Sequence, residues 1–159
     1  MAIKFANSFG AEVTVLSTSA NKKADALKLG AHHFVNTKNP DEMKKMRNSL
    51  DFIIDTVSAP HDLNFYAGLL RRDGKMILLG IPEEAAQLHA GVLIGKRRSL
   101  AGSLIGGIKE TQEMLDYCAK NNIASDVEVI RIDQINEAYE RMLRSDVKYR
   151  FVIDMSTLK

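Results

Sequence analysis

Short apolar runs of strand length alternate with helical patterns along most of this chain. Two of the runs, FIIDTV at 52–57 and MILLGI at 76–81, are apolar at nearly every position. Strands of this character are buried on both faces, because helices cover both sides of a parallel sheet. Alternation of such strands with helices indicates βαβ units. The sequence therefore predicts an α/β fold of the Rossmann type, with a doubly wound parallel sheet.

The predicted elements fill the chain from residue 1 to residue 125. The strand candidates are 12–17, 33–36, 50–57, 75–81 and 99–105, and the helix candidates are 1–9, 21–29, 40–47, 60–71 and 108–121. In the last helix Ile108, Thr111, Leu115 and Cys118 share one stripe, which predicts that they lie in the core. We assign residues 1–125 to one domain, because a chain with 45% hydrophobic residues can fill one core of this size.

Residues 126–159 form a second segment in our interpretation, since five strands are complete before it begins. Asp133 can cap a helix that carries Ile135, Ala138 and Tyr139 at helical spacing. A strand at 149–155 follows this helix. We expect the segment 128–155 to be weakly anchored to residues 1–125, or to pair elsewhere.

Charge and hydropathy exclude several classes of partner. The chain carries 22 Lys and Arg against 20 Asp and Glu, and its short basic clusters lie far apart in sequence. Nucleic-acid binding needs basic residues gathered on one surface, so we expect no nucleic acid partner. No apolar run reaches the ~18 residues of a membrane span, so no membrane partner is expected. The single cysteine, Cys118, cannot form an intrachain disulfide, which fits a cytoplasmic location.

The turn after the first predicted strand holds hydroxyls and lysines. Ser17, Thr18 and Ser19 end the strand, and Lys22 and Lys23 begin the next helix. In dinucleotide-binding folds an acidic residue near this point binds the ribose 2′-hydroxyl. Hydroxyl and ammonium groups suit the 2′-phosphate of NADP instead, which a carboxylate would repel. The turn alone leaves a second interpretation open, in which Ser19 only caps the helix and both lysines point into water.

The sequence lacks the usual start of such a fold. A dinucleotide-binding domain opens with a strand and a G-x-G-x-x-G loop, whereas helix 1–9 and strand 12–17 match the second half of that unit. In the usual order the first strand lies between the second and the fourth. We therefore predict a gap in the sheet of about two inter-strand spacings, roughly 10 Å, which another strand could fill.

Four segments resemble the C-terminal half of zinc-containing medium-chain alcohol dehydrogenases. Within that family they are most similar to the NADP-dependent, cinnamyl-alcohol-dehydrogenase-like aldehyde reductases. The segments are SLDFIIDTV at 49–57, LLRRDGKMILLGIPEE at 69–84, RRSLAGSLIGGIKETQEMLDYC at 97–118 and DVKYRFVIDM at 146–155. The resemblance covers essentially the whole chain.

The resemblance implies NADP as cofactor and a set of contacts to it. It makes Ser17, Thr18, Ser19 and Lys22 ligands of the 2′-phosphate. It puts Thr56 beside the cofactor, Gly80 and Ile81 near the nicotinamide ribose, and Arg150 at the pyrophosphate. Backbone groups of Ser103, Leu104 and Ile105 would meet the nicotinamide carboxamide. Taken alone, Thr56 also fits an ordinary β-branched strand end and Gly80 a tight strand exit.

The resemblance implies that a catalytic zinc and its ligands belong to an N-terminal domain. Cys118 and the four histidines, His32, His33, His61 and His89, show no zinc-ligand spacing. We assign no metal ligand and no catalytic residue in this chain. We expect residues 126–159 to pack on the domain that carries the zinc, and the resemblance also implies a homodimer joined through the 100–105 strand edge.

Three functional interpretations follow. The first is the cofactor-binding portion of an NADP-dependent zinc alcohol dehydrogenase or aldehyde reductase, which transfers hydride between NADP(H) and a primary alcohol or aldehyde. The second is an inactive, truncated module that binds a nucleotide or mediates dimerisation. The third, a receiver-type domain with Asp55 as phosphoacceptor, lacks the acidic pair expected on an earlier strand.

Overall fold

The computed structural model describes residues 1–144 and 146–158, and it is an α/β fold built from parallel strands. The strands are β1 Thr14–Ser17, β2 His33–Asn36, β3 Leu50–Asp55, β4 Leu70–Leu78, β5 Ser99–Gly102, β6 Glu128–Arg131 and β7 Phe151–Asp154. The α-helices are α1 Ala2–Ser8, α2 Lys23–Lys28, α3 Pro40–Lys45, α4 Leu63–Ala67, α5 Ala90–Ile94, α6 Ile108–Lys120 and α7 Ile135–Leu143. Short 3₁₀ helices occupy Ala20–Lys22, Ile132–Gln134 and Met155–Thr157.

The strands form three separate parallel sheets. Strand β1 pairs with β2, and β3, β4 and β5 pair in that order. No backbone pairing joins β1 to β3 among the residues that the structure describes. The interruption lies where the first strand of a Rossmann sheet would stand. The predicted gap is thus present as a break between the sheets β1–β2 and β3–β5.

One hydrophobic core spans this break. Its most buried side chains are Met43, Leu69, Leu70 and Met76, all at most 1% exposed. Val35 of β2 belongs to the same cluster as Ile53 of β3. The two sheets therefore share a core although their backbones are not hydrogen-bonded to each other.

Strand β4 begins earlier and α4 is shorter than the sequence predicts. Asp62 starts α4 by accepting a hydrogen bond from the Asn64 N–H at 2.9 Å, and α4 ends at Ala67, so the predicted helix 60–71 is wrong at both ends. Leu70 already pairs with Leu50, and the register then jumps to the pair of Lys75 with Phe52. Asp73 lies in this irregularity with a φ of 63°. A bulge of this kind makes the start of the strand hard to recognise in the sequence, because turn residues inside the strand resemble those that lie between a helix and a strand.

The other boundary corrections are smaller. Strands β3 and β5 end at Asp55 and Gly102, earlier than the predicted 57 and 105. Strand β1 begins at Thr14 rather than at 12, and α5 and β6 were not predicted. These differences place 56–57 and 103–105 in loops that follow the strands.

Helix α6 does not bury the stripe that its spacing predicts. Cys118 is buried, as expected, but Leu115 is 52% exposed and Ile108 is 93% exposed. The stripe therefore points out of the described fold along most of its length.

Asp133 does not cap α7, because its carboxylate pairs with the Arg131 guanidinium at 3.0 Å.

We refer to β6, α7 and β7, in the segment from residue 126, as the β6–β7 unit. Strand β6 pairs with β7 in a third parallel sheet, and α7 lies between them in sequence. The Lys4 ammonium contacts the Asp126 carboxylate at 2.8 Å, and the Lys148 ammonium contacts that of Asp25 at 2.9 Å. These two ion pairs tie the unit to α1 and α2. The division at residue 125 and the expected weak anchoring remain predictions.

Candidate functional site

The candidate site lies at the carboxyl ends of the strands. Within each sheet the strands are parallel, so their last residues gather at one edge. Ser17 is the last residue of β1, Thr56 follows β3, and Gly80 and Ser103 follow β4 and β5 closely. Open parallel sheets bind ligands at this edge. The predicted residues other than Arg150 thus lie at strand ends or in the segments that directly follow them.

At the end of β1, the side chains that could bind an anion include the exposed Thr18 and Lys22. The Ser17 hydroxyl accepts a hydrogen bond from the Ser19 N–H at 3.2 Å. Ser19 precedes the 3₁₀ helix without capping it through its side chain, whereas Lys22 and Lys23 are both exposed, as the second interpretation of this turn expects. Thr18 and Lys22 are exposed, and neither side chain has a hydrogen-bond or ion-pair partner in the described part of the chain. The nearby carboxylate of Asp25 is already paired with Lys148.

Thr37 is a residue of this edge that the sequence did not point to. Its N–H donates to the Ser17 carbonyl at 2.9 Å, which fixes the loop after β2 against the end of β1. Its hydroxyl is buried and has no hydrogen-bond partner among the described residues. No sequence pattern distinguishes this threonine from a surface loop residue.

The ends of β3 and β4 are locked together. The N–H groups of Leu79 and Gly80 both donate to the Asp55 carbonyl, at 2.8 and 3.2 Å. A Cβ at Gly80 would lie 2.4 Å from the Val57 carbonyl oxygen. The tight strand exit expected for Gly80 is therefore present, and it brings Gly80 next to the loop that begins with Thr56.

A cleft of about 240 Å³ opens at this junction. Asp55, His61 and Gly80 line it on the strand side, and Glu84 and Gln87 line it from the loop after β4. Asn64 holds that loop, because its amide donates to the Gln87 carbonyl at 3.1 Å and accepts from the His89 N–H at 2.7 Å. These two hydrogen bonds anchor the end of the loop that forms the second wall of the cleft.

Asp55 and His61 form a pair inside the cleft that the sequence analysis missed as a site. Asp55 Oδ2 lies 2.7 Å from His61 Nε2, and the two side chains are only 8% and 18% exposed. The pKa of His61 is raised above its ordinary value. Burial by itself lowers this pKa, but the hydrogen bonds to the Ala59 carbonyl and to Asp55 and the nearby negative charges raise it by more. The available sequence signal was an aspartate that closes an apolar strand, with a histidine six residues later. A receiver-type role for Asp55 is disfavoured, because its carboxylate is buried and engaged.

The loop after β5 presents apolar side chains to solvent. Leu104 and Ile105 are 84% and 89% exposed, and Ile81, three residues after β4, is 80% exposed. The Ser103 N–H donates to the Leu78 carbonyl at 3.1 Å, so this loop leaves the sheet alongside β4. Leu104, Ile105 and Ile81 thus present apolar side chains to solvent close to the carboxyl ends of β4 and β5.

Arg150 lies apart from the other predicted residues. It is exposed and precedes β7, where its carbonyl accepts from the Glu128 N–H at 3.0 Å. Its side chain makes no hydrogen bond or ion pair with any residue that the structure describes. The structure therefore leaves the guanidinium available without bringing it to the strand ends.

The side chains that the structure describes do not fit a zinc site. Over residues 1–144 and 146–158, no three His, Cys, Asp or Glu side chains come together in a way that could hold a metal ion. The Cys118 thiol lies in the core against the Met114 sulfur, at 3.7 Å. We derive no chemical step through a metal for these residues.

No α-helix in the described range is long and apolar enough to cross a membrane.

Residues 1–120 match the sequence family described as zinc-binding dehydrogenase. The chain belongs to the zinc-binding dehydrogenase family. The resemblance read from the four sequence segments is therefore confirmed. Aldehyde reductase YahK of Escherichia coli K12 is 56% identical over an alignment of 162 positions that covers 99% of this chain and 46% of that protein. NADP-dependent alcohol dehydrogenase C 1 of Mycolicibacterium smegmatis is 50% identical over 159 residues, with similar coverage of 100% and 46%.

Solved structures of zinc-binding dehydrogenase relatives confirm the Rossmann-type fold. Cinnamyl alcohol dehydrogenase SbCAD4 of Sorghum bicolor superposes with a TM-score of 0.93 at 40% identity, over 100% of this chain and 45% of that one. The Helicobacter pylori cinnamyl alcohol dehydrogenase complexed with NADP(H) gives 0.83 at 41% identity, over 98% and 44%. The chain spans about half the length of the relatives it matches.

Proposed function

We propose that this chain is the cofactor-binding portion of an NADP-dependent alcohol dehydrogenase or aldehyde reductase. The observation that carries the proposal is the end of β1, where Thr18 and Lys22 are exposed and unpartnered in the described part of the chain. An ammonium group without a carboxylate partner attracts a phosphate, and the adjacent hydroxyls can donate hydrogen bonds to it. Ser17, Thr18, Ser19 and Lys22 bind the 2′-phosphate in this proposal.

The remaining contacts follow the strand ends. Thr56 lies beside the cofactor, Gly80 and Ile81 meet the nicotinamide ribose, and the backbone of 103–105 meets the carboxamide. Arg150 reaches the pyrophosphate from the segment 126–159. When bound, NADP(H) accepts or supplies the hydride exchanged with a primary alcohol or aldehyde. The residues of this chain hold and orient it, while the zinc ligands of the family lie outside this chain.

The test separates the 2′-phosphate from the rest of the cofactor. Binding of 2′,5′-ADP and of 5′-AMP to the purified chain is measured by calorimetry, because these two nucleotides differ only in the 2′-phosphate. We expect 2′,5′-ADP to bind more tightly, and Lys22→Ala to weaken it about tenfold, which corresponds to about 1.4 kcal/mol. Lys44→Ala is the matched control, since Lys44 is an exposed lysine in the last turn of α3. Equal affinity for both nucleotides would refute the assignment.

A second candidate function is an inactive module that dimerises. Strand β5 pairs only with β4 in the described part of the chain, so its outer edge is free, and Leu104 and Ile105 beside it are almost fully exposed. A free apolar strand edge pairs readily with a second copy. Light scattering after gel filtration tests this: we expect a dimer that Leu104→Lys with Ile105→Lys converts to a monomer. Ile94→Lys, at an equally exposed apolar residue, should leave the dimer intact.

A cytoplasmic location is also our proposal. It is supported by the single cysteine, which leaves no intrachain disulfide to be formed. Fractionation of cells that express the tagged chain tests it, and recovery outside the cytoplasm would contradict it.

A further inference from the structure

The His61 imidazole is held between two hydrogen-bond acceptors. Its Nε2 lies 2.7 Å from Asp55 Oδ2, and its Nδ1 lies 2.8 Å from the Ala59 carbonyl oxygen. A carbonyl oxygen can accept a hydrogen bond but cannot donate one, and the same is true of an ionised carboxylate. Both ring nitrogens must then donate, which requires a proton on each. The geometry indicates an imidazolium at His61.

We propose that protonated His61, paired with Asp55, is a positioning residue that holds the loop 56–61 at the carboxyl edge of β3. The inference rests on the proposed function in one respect, which is that this loop carries Thr56 as a cofactor contact. His61 acts through the loop and touches no reacting atom in this proposal.

The loop depends on this pair because it has little else to hold it. The residues from 56 to 60 are exposed and form no helix or strand. The Val57 N–H donates to Asp55 Oδ1 at 3.0 Å, and the Ala59 carbonyl accepts from His61. In the described part of the chain, the loop's hydrogen bonds all run to Asp55 or His61. One carboxylate thus fixes the start of the loop through Val57 and its end through His61.

The surroundings of His61 decide how the pair responds to pH. The charged and titratable groups that face it are Asp55 from β3, Asp62 beside it, Tyr66 from α4 with ring centroids 5.5 Å apart, and Glu84 on the opposite wall of the cleft. Burial opposes the charged ring, but the hydrogen bonds and the acidic groups prevail and raise its pKa. Because the pKa is raised in the folded state, the pairing is fully present below the ordinary histidine value of 6.5 and is lost as pH rises through the folded value.

A second pair in the chain provides a matched control. His33 Nε2 lies 2.7 Å from Glu12 Oε1, the same distance as in the proposed pair, but the two side chains are 56% and 77% exposed. This pair lies at the amino-terminal ends of β1 and β2, whereas the cleft lies at the carboxyl ends of its strands. The pair therefore holds no loop in the cleft. Any effect specific to His61 must be absent when His33 is replaced.

The test is an NMR pH titration of the full 159-residue chain without ligand, following the imidazole nitrogens and the backbone amides. We expect both His61 nitrogens to be protonated below its midpoint, a midpoint above 6.5, and amide shifts of Thr56 and Val57 that titrate with that same midpoint. His61→Gln keeps a donor to Asp55, so it should hold the two amides near their low-pH positions and remove their titration. His61→Leu should move them at all pH values, and His33→Gln should change nothing.

Amides of Thr56 and Val57 that do not follow the His61 titration would overturn the proposal. So would a His61→Leu variant whose loop amides stay in place, or a His61 midpoint at or below the ordinary value of 6.5. All of these are measured in the ligand-free protein. A failure of 2′,5′-ADP binding would therefore count against the proposed function and not against this pair.

Discussion

Gly80 packs against the carbonyl of Val57 so closely that a Cβ at position 80 would lie 2.4 Å from the carbonyl oxygen. Because backbone atoms are the obstacle, no side chain can rotate away to make room. We predict that Gly80→Ala destabilises the protein by about 1–3 kcal/mol, the usual cost of overpacking, and opens the junction of β3 and β4. Urea unfolding monitored by circular dichroism measures the change.

Gly102→Ala is the control for this substitution. Its Cβ would come no closer than 4.0 Å to its nearest neighbour, the Leu78 carbonyl oxygen, which is ordinary contact. We expect little change in stability from it. If both variants unfold at the same urea concentration, the close approach at Gly80 is not a constraint on the fold.

Arg98 joins three segments through neutral acceptors alone. Its guanidinium donates to the Leu70 carbonyl at 2.9 Å, to the Val92 carbonyl at 3.1 Å and to Asn48 Oδ1 at 2.9 Å. Burial, and then the charge of nearby Arg47, lower the pKa of Arg98. We predict that Arg98→Met costs about 2 kcal/mol, because several carbonyl groups lose their charged donor at once.

Thermal unfolding should show the loss of stability in Arg98→Met directly. Arg72→Met, at an exposed arginine of β4 without a hydrogen bond in the described part of the chain, should have little effect. Arg98→Lys is a second comparison, since one ammonium cannot reproduce the fork of the guanidinium. Full stability in Arg98→Lys would show that charge, and not the fork, is what these carbonyls need.

Strands β1 and β3 each leave one edge unpaired in the described part of the chain, on either side of the break between the sheets. Unpaired backbone groups inside a fold are costly, so a strand that enters the break should bind. We predict that the part of YahK outside its match with this chain, added as a separate polypeptide, protects the amides of β1 and β3 from hydrogen exchange. The amides of β5, which lie away from the break, serve as the internal control. Unchanged exchange in β1 and β3 would contradict the prediction.

Glu128 ties β6 to the end of α7 and to the loop before β7. Its carboxylate accepts from the Lys148 N–H at 2.9 Å and pairs with the Arg141 guanidinium at 2.7 Å. These two contacts, in that order, lower the pKa of Glu128 below its ordinary value of 4.5. Since the folded pKa is the lower one, the stabilisation is present above 4.5 and is lost as pH falls through the folded value.

We therefore predict that the β6–β7 unit opens in acid before the core of β3–β5 does. Hydrogen exchange of Val152 and Ile153 as a function of pH measures this opening. In Glu128→Gln, the unit should be as open at neutral pH as the unsubstituted unit is in acid. Its hydrogen exchange should then no longer depend on the titration of residue 128. Asp116→Asn, at a carboxylate on the exposed face of α6, is the control that should leave it unchanged.

The sequence by itself determined the order of strands and helices apart from α5 and β6, the Rossmann class and the family. These depend on local patterns: apolar runs such as 52–54, turn residues and short motifs are visible without any fold. The break in the sheet was also predictable, because the chain holds no strand and glycine loop before α1 and the strand order of the fold is general.

Only the tertiary structure decided how the site is built. The pairing of Asp55 with His61 and the approach of Gly80 to Val57 depend on where β3 and β4 end and how their loops meet. Those ends were misjudged by two or three residues, since strand boundaries are set by pairing partners that are distant in sequence. The exposed face of α6 escaped prediction for the same reason: periodicity marks an apolar stripe, but only the packed fold shows whether anything covers it.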